Sequence, residues 1–98
     1  MDKADALRLL KKSRKEIDRI DEEILYLISE RTSLARDIAN AKIVLDRDIE
    51  DKKREYYIQE KTKKIAERNN IDQEYLSNIM EILTDLNKNE QEKILRRK

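Results

Sequence analysis

The chain contains neither glycine nor proline anywhere in its 98 residues, so it has given up its two strongest turn formers. Few turns are expected, and helix should dominate. From about Asp5 to Leu45 the apolar positions recur in alternating steps of three and four. The series runs Leu7, Leu10, Arg14, Ile17, Asp21, Ile24, Ile28, Arg31, Ala35, Ile38, Lys42 and Leu45. Ile20, Leu27, Leu34 and Ala41 widen that seam on one side, as on the buried stripe of a helix. The expected first helix covers residues 5–45.

Asp46 to Glu50 breaks the pattern and forms the first expected connection. A second helix is expected over 51–68, with Asp51, Glu55, Ile58, Thr62 and Ile65 sharing a face. Asn69 and Asn70 mark the next break, since asparagine is the best replacement for glycine in a left-handed helix cap. Asp72 then has the character of an N-cap, and Ile71 and Leu76 stand at the two positions of a hydrophobic staple. The third helix is expected over 72–95, with Leu76, Ile79, Met80, Leu83, Leu86 and Ile94 facing inward. The expected fold is all-α, one domain over residues 1–98.

Helix length carries a consequence. About 40 helical residues at roughly 1.5 Å each span about 60 Å. A compact domain of this size is only some 30–35 Å across, from a radius of gyration near 13 Å. The apolar seam of the first helix therefore calls for a partner, and a second copy of the chain is the simplest one. A homodimer is expected.

Composition narrows the function classes. Charged residues make up 46% of the chain and hydrophobic ones 38%, a balance that periodic apolar residues keep from implying disorder. The net charge is +1, without the basic excess of a nucleic-acid binder. Lys93, Arg96, Arg97 and Lys98 form a small basic end suited to a helix C-terminus. With no cysteine there is no disulfide and no thiol nucleophile, and with no histidine the usual metal ligand and general base are missing. No apolar run is long enough for a membrane span or a signal peptide, so a cytoplasmic protein is expected.

The informative residues are polar ones on apolar faces: Arg14, Asp21, Arg31 and Lys42 in the first helix, Asn87 and Gln91 in the third. Asp51 and Glu55 lie one turn apart in the second. Several readings fit them. Polar seam residues fix register or oligomeric state, and long cationic side chains reach water along a helix edge. Alternatively they converge on a small anion, because a buried cation without an anionic partner costs several kcal/mol. Arginine forks suit carboxylates, Lys42 would add a charged donor, Gln91 a neutral one, and Glu55 would accept from a hydroxyl. No nucleophile with an adjacent base stands out, so such a site suits electrostatic preorganisation rather than covalent or acid–base chemistry.

In these same residues the sequence resembles the AroQ-type, all-helical chorismate mutases over nearly its whole length. The resemblance is carried by Arg14-Lys-Glu-Ile-Asp-Arg-Ile-Asp21, Ile28-Ser-Glu-Arg31, Ala41-Lys42, Asp51-Lys-Lys-Arg54-Glu55 and Asn87-Lys-Asn-Glu-Gln91. Each piece is common in helical proteins, and their joint spacing is specific. The resemblance implies an intertwined, domain-swapped homodimer that converts chorismate to prephenate without metal or cofactor. It implies that Arg14 reaches into the partner's site, where Arg31, Lys42, Asp51, Arg54, Glu55, Asn87 and Gln91 come from one chain. Arg14 and Arg31 would hold the two carboxylates of chorismate. Lys42 would meet the side-chain carboxylate and the ether oxygen, and Gln91 would donate to that oxygen. Glu55, with help near Asp51, would take the ring hydroxyl, Asn87 would contact the ring carboxylate, and Arg54 would lie close by. The catalytic residues so implied are Lys42, Gln91, Arg31 and Glu55.

The sequence departs from the family pattern at Asn87, where a hydroxyl residue is frequent, and between Asp46 and Glu50, where Gly or Pro is frequent. Two other functions are compatible with the same helices. One is an isochorismate-pyruvate lyase, which the same fold supports. The other is a non-catalytic helical dimerisation module, in which the polar seam residues serve register alone.

Overall fold

A computed structural model of the chain describes residues 1–96. Arg97 and Lys98, part of the expected basic end, lie outside the described residues. The described chain is all-helical: α1 spans Lys3–Val44, α2 Lys52–Arg68 and α3 Gln73–Arg96. These bounds fall within a few residues of those expected. None of the helices is long and apolar enough to cross a membrane.

Each helix starts on an aspartate that accepts a backbone N–H three residues on. Asp2 Oδ1 accepts from Asp5 N at 2.8 Å, Asp51 Oδ1 from Arg54 N at 3.0 Å, and Asp72 Oδ1 from Tyr75 N at 3.0 Å. These bonds satisfy donors that a helix start leaves orphaned, and the carboxylate charge favours the positive end of the helix dipole. Asp51 was expected as the first residue of the second helix. It is the cap before it, because its side chain bonds the helix start while its own backbone stays extended at φ −128°, ψ 89°.

The first two helices also end alike, without glycine. Asp46 and Asn70 both sit at φ 52°, in the left-handed region that Asp and Asn tolerate better than other side chains. Past each, the chain turns back to bond the final helical turn: Arg47 N donates to Lys42 O at 2.8 Å, and Ile71 N to Ala66 O at 3.0 Å. Both are Schellman closures. Asn70 fulfils the expectation for that break; Asp46 supplies the same device at the other connection.

Two compact units are distinguished, Met1–Glu30 and the residues from Arg31 onward. In the first unit the apolar seam lies open: Leu7 is 67% exposed, Ile17 54% and Leu27 58%. Polar neighbours on the same helix pair locally, as in Arg19 with Glu16 at 3.2 Å and Glu23 at 2.8 Å.

In the second unit, α2 packs on α3, and the last turns of α1 are joined to α3 by side-chain hydrogen bonds. The buried apolar centre consists of small residues, Ala35 and Ala39 on α1 and Ala66 on α2. Buried with them are Thr62, whose hydroxyl donates to Ile58 O at 2.7 Å, and Gln91. Ile79, expected to face inward, is 52% exposed. The inward stripe of α3 passes instead through Leu76, Met80, Leu83, Asn87, Gln91 and Ile94, all buried or half-buried. Ile79 lies one step round the helix, on the side of the exposed Ile82.

Candidate active site

Helical spacing aligns Arg31, Ala35, Ile38 and Lys42 along α1, and Leu83, Asn87 and Gln91 along α3. Ala35, between the two long cations, is buried, and both cations reach across to α3. Arg31 Nη1 donates to the carbonyl of Leu83 at 2.8 Å. Asn87 Nδ2 returns a bond to the carbonyl of Arg31 at 3.3 Å. In the last turn of α1, Lys42 Nζ donates to Gln91 Oε1 at 3.0 Å and to the carbonyl of Ile49 at 2.5 Å. Gln91 Nε2 donates to Asn87 Oδ1 at 2.7 Å. Gln91 is only 4% exposed, so both ends of its amide need these partners.

Glu55 enters from α2. Its Oε1 accepts from Lys88 Nζ of α3 at 2.9 Å, and both side chains are half-buried. That hydrogen bond is the chief reason the Lys88 ammonium is held above its ordinary value. Partial desolvation opposes the shift, and the charges of Glu55, Asp85 and Glu50 add to it.

Arg54 stands over the ring of Tyr57, 5.1 Å from its centroid. Arg31 and Arg54 line one cavity of about 330 Å³, together with Tyr57, Lys61 and apolar side chains including Ile58 and Met80. Burial pushes the Arg31 guanidinium below its ordinary value, and the neighbouring Arg54 cation acts in the same direction. A carboxylate placed between them would act against both, because an opposite charge favours the charged guanidinium. Lys42 and Asp51 line a second, more open cavity of about 590 Å³ beside the first connection.

The structure thus brings Arg31, Lys42, Asn87 and Gln91 into one hydrogen-bonded chain and sets Glu55, Asp51 and Arg54 in the same unit. Arg14 belongs to the other unit, where it lines an open groove with Leu7, Leu10 and Lys15. Asp21, in that unit too, is exposed. Lys88 was not anticipated. Its position between Asn87 and Gln91 was visible, but a lysine on a charged helix reads as solvated until Glu55 is found opposite. Among the described residues, no group of three or more His, Cys, Asp or Glu could hold a metal ion.

The sequence pattern described as chorismate mutase type II matches residues 13–92, which take in every candidate residue from Arg14 to Gln91. The chain belongs to the type II chorismate mutase family. It is 44% identical to a chorismate mutase of Methanocaldococcus jannaschii over 75 residues, 76% of each chain. It is 30% identical over 82 residues, 84% of its own length, to a bifunctional chorismate mutase/prephenate dehydratase of Buchnera aphidicola, of which the match covers 21%. For a chorismate mutase, the important feature of this geometry is its unused donors. Among the described residues, Lys42 spends two of the three hydrogens of its ammonium, Gln91 one of two on Nε2, and Arg31 one of five.

Proposed function

We propose that the chain, as a single chorismate mutase domain, rearranges chorismate to prephenate in two sites of an intertwined homodimer. The observation that carries this reading is the pairing of Lys42 with buried Gln91 at 3.0 Å, each keeping a donor for one further acceptor. An ether oxygen set at that point would receive a charged and a neutral hydrogen bond together.

The reaction is a unimolecular Claisen rearrangement. The ether C–O bond breaks as a C–C bond forms between the enolpyruvyl arm and the ring, and no proton need move. Negative charge grows on the ether oxygen along the way. Donors held there by the fold favour the transition state over the ground state, with little reorganisation. Arg31, and Arg14 of the partner subunit, would grip the two carboxylates and restrict the substrate to the folded, reactive conformer. Lys42 would also meet the side-chain carboxylate. Glu55 would use the oxygen not engaged by Lys88 to accept the ring hydroxyl, with Asp51 nearby, and Arg54 would add positive potential beside Arg31.

The dimer rests on the open seam of Met1–Glu30. Leu7, Ile17, Ile20, Ile24 and Leu27 are between 43% and 67% exposed, an apolar stripe interrupted by Arg14 and Asp21 that water disfavours. A second copy covers it and delivers Arg14 from the same stripe.

The test is the loss of chorismate's ultraviolet absorbance on adding purified protein, with prephenate identified by acid conversion to phenylpyruvate, and the mass of the species in solution. Turnover by a dimer is expected. A folded protein that leaves chorismate unchanged would overturn the reading, and turnover of isochorismate instead would assign the lyase.

A further inference from the structure

The hydrogen bonds around Gln91 run in one direction. Lys42 Nζ donates to Gln91 Oε1 at 3.0 Å, Gln91 Nε2 donates to Asn87 Oδ1 at 2.7 Å, and Asn87 Nδ2 donates to Arg31 O at 3.3 Å. Both ends of the series are one-way groups, since an ammonium can only donate and a carbonyl oxygen can only accept. Neither carboxamide can be turned over at no cost. With Asn87 reversed, its Oδ1 would face the Arg31 carbonyl and its Nδ2 would face Gln91 Nε2. With both reversed, the Gln91 amide nitrogen would face the Lys42 ammonium, and two oxygens would still meet at Arg31. Gln91 is buried, so water cannot repair a mismatch there cheaply.

We propose that Asn87 is a positioning residue: anchored on the Arg31 carbonyl, it sets the orientation of the Gln91 carboxamide and so aims the remaining Nε2 hydrogen. This goes beyond a contact of Asn87 with the ring carboxylate, and it rests on the chorismate mutase reading for its catalytic consequence. Asparagine suits the task because it is long enough to bridge a backbone carbonyl on α1 and an amide one turn along α3, with a donor at one end and an acceptor at the other. A serine or threonine hydroxyl stands on a shorter side chain and cannot serve both partners at once.

The experiment compares Asn87→Asp and Asn87→Ser, each alone and in a Gln91→Ala background, in the full-length protein. Asn87→Asp keeps the acceptor for Gln91 but sets a carboxylate against the Arg31 carbonyl. The expected result is a kcat lower by roughly three- to tenfold with KM little changed, the worth of about one net hydrogen bond. In the Gln91→Ala background the same substitution is expected to leave kcat where Gln91→Ala put it. An equal loss in both backgrounds, or a raised KM with kcat unchanged, overturns the assignment, because neither a scaffold role nor a carboxylate contact requires Gln91. Asn87→Ser gives the same comparison if Asn87→Asp does not fold. Should the unaltered protein fail to convert chorismate, the functional reading falls alone. The relay is then read from the side-chain amide of Gln91 by NMR, where one Nε2 proton should exchange slowly and lose that protection in Asn87→Ser. Unchanged Gln91 resonances in that variant would overturn the relay itself.

Discussion

Replacing Lys88 with methionine tests whether the link between α2 and α3 is electrostatic as well as apolar. Methionine keeps most of the unbranched stem, so the loss is chiefly that of the ammonium and its 2.9 Å bond to Glu55. The side chains of Lys88 and Glu55 are 27% and 30% exposed, between a solvated surface pair and a buried one. Exposed pairs contribute about 0–1 kcal/mol, and breaking buried ones costs about 3–5 kcal/mol. The expected loss is about 1–2 kcal/mol, part of it the cost of leaving Glu55 half-buried without its cation. Urea denaturation followed by helical circular dichroism, at one fixed protein concentration, measures it. Glu55→Gln and the double variant complete a cycle, in which a coupling of about 1 kcal/mol is expected. The pH dependence has a definite sign. The folded Lys88 pKa is raised above 10.5, so the pair's contribution is complete below that value and is lost as pH rises through the folded one. Additive single losses, or a Lys88→Met deficit that persists unchanged above that range, would refute this account of the pair.

Three further outcomes are expected. Lys42→Ala should lower kcat by about two to three decades, the worth of one donor at the developing charge, with helix content and dimer mass retained; near-normal turnover would remove Lys42 from the ether oxygen. Gln91→Glu should give an activity that falls as pH rises, because the new carboxyl donates only while protonated, and a flat pH–rate profile would contradict the placement. Asp51→Ala should cost about 1 kcal/mol in urea denaturation by removing the cap on Arg54 N, whereas Asp51→Ser should cost much less; equal losses would show that capping is not its structural role.

Much of the fold was legible because helices announce themselves by period and by ends. Leu7 through Leu45 kept one seam, and Asn70 and Asp72 marked a stop and a start. The centre of the second unit was less legible. Ala39 and Ala66 are 1% exposed, yet alanine suits any face of any helix, and only the close approach of the helices selects these two. Ile79 was misplaced for the converse reason: an apolar residue beside a stripe reads like one within it.

At the site, Arg31, Lys42 and Gln91 stood out as polar groups on apolar faces; Lys42 meets Gln91 across α1 and α3, while the Arg31 guanidinium bonds the Leu83 carbonyl of α3. The direction of the hydrogen bonds from Lys42 to Arg31 O had no counterpart in the sequence, since it depends on a backbone carbonyl and on which side of each amide faces it. Lys88 was hidden among other charges, and its partner Glu55 is remote in the chain.

In the proposed dimer each site takes Arg14 from one chain and Lys42 from the other. Arg14→Ala and Lys42→Ala homodimers should each be nearly inactive. Unfolded together in equal amounts and refolded, they should form mixed dimers in which one site carries both substitutions and the other carries neither. Half of the dimers would be mixed, with one intact site each, so about a quarter of unaltered turnover is predicted. Mixed dimers that form and regain no activity would contradict the shared site.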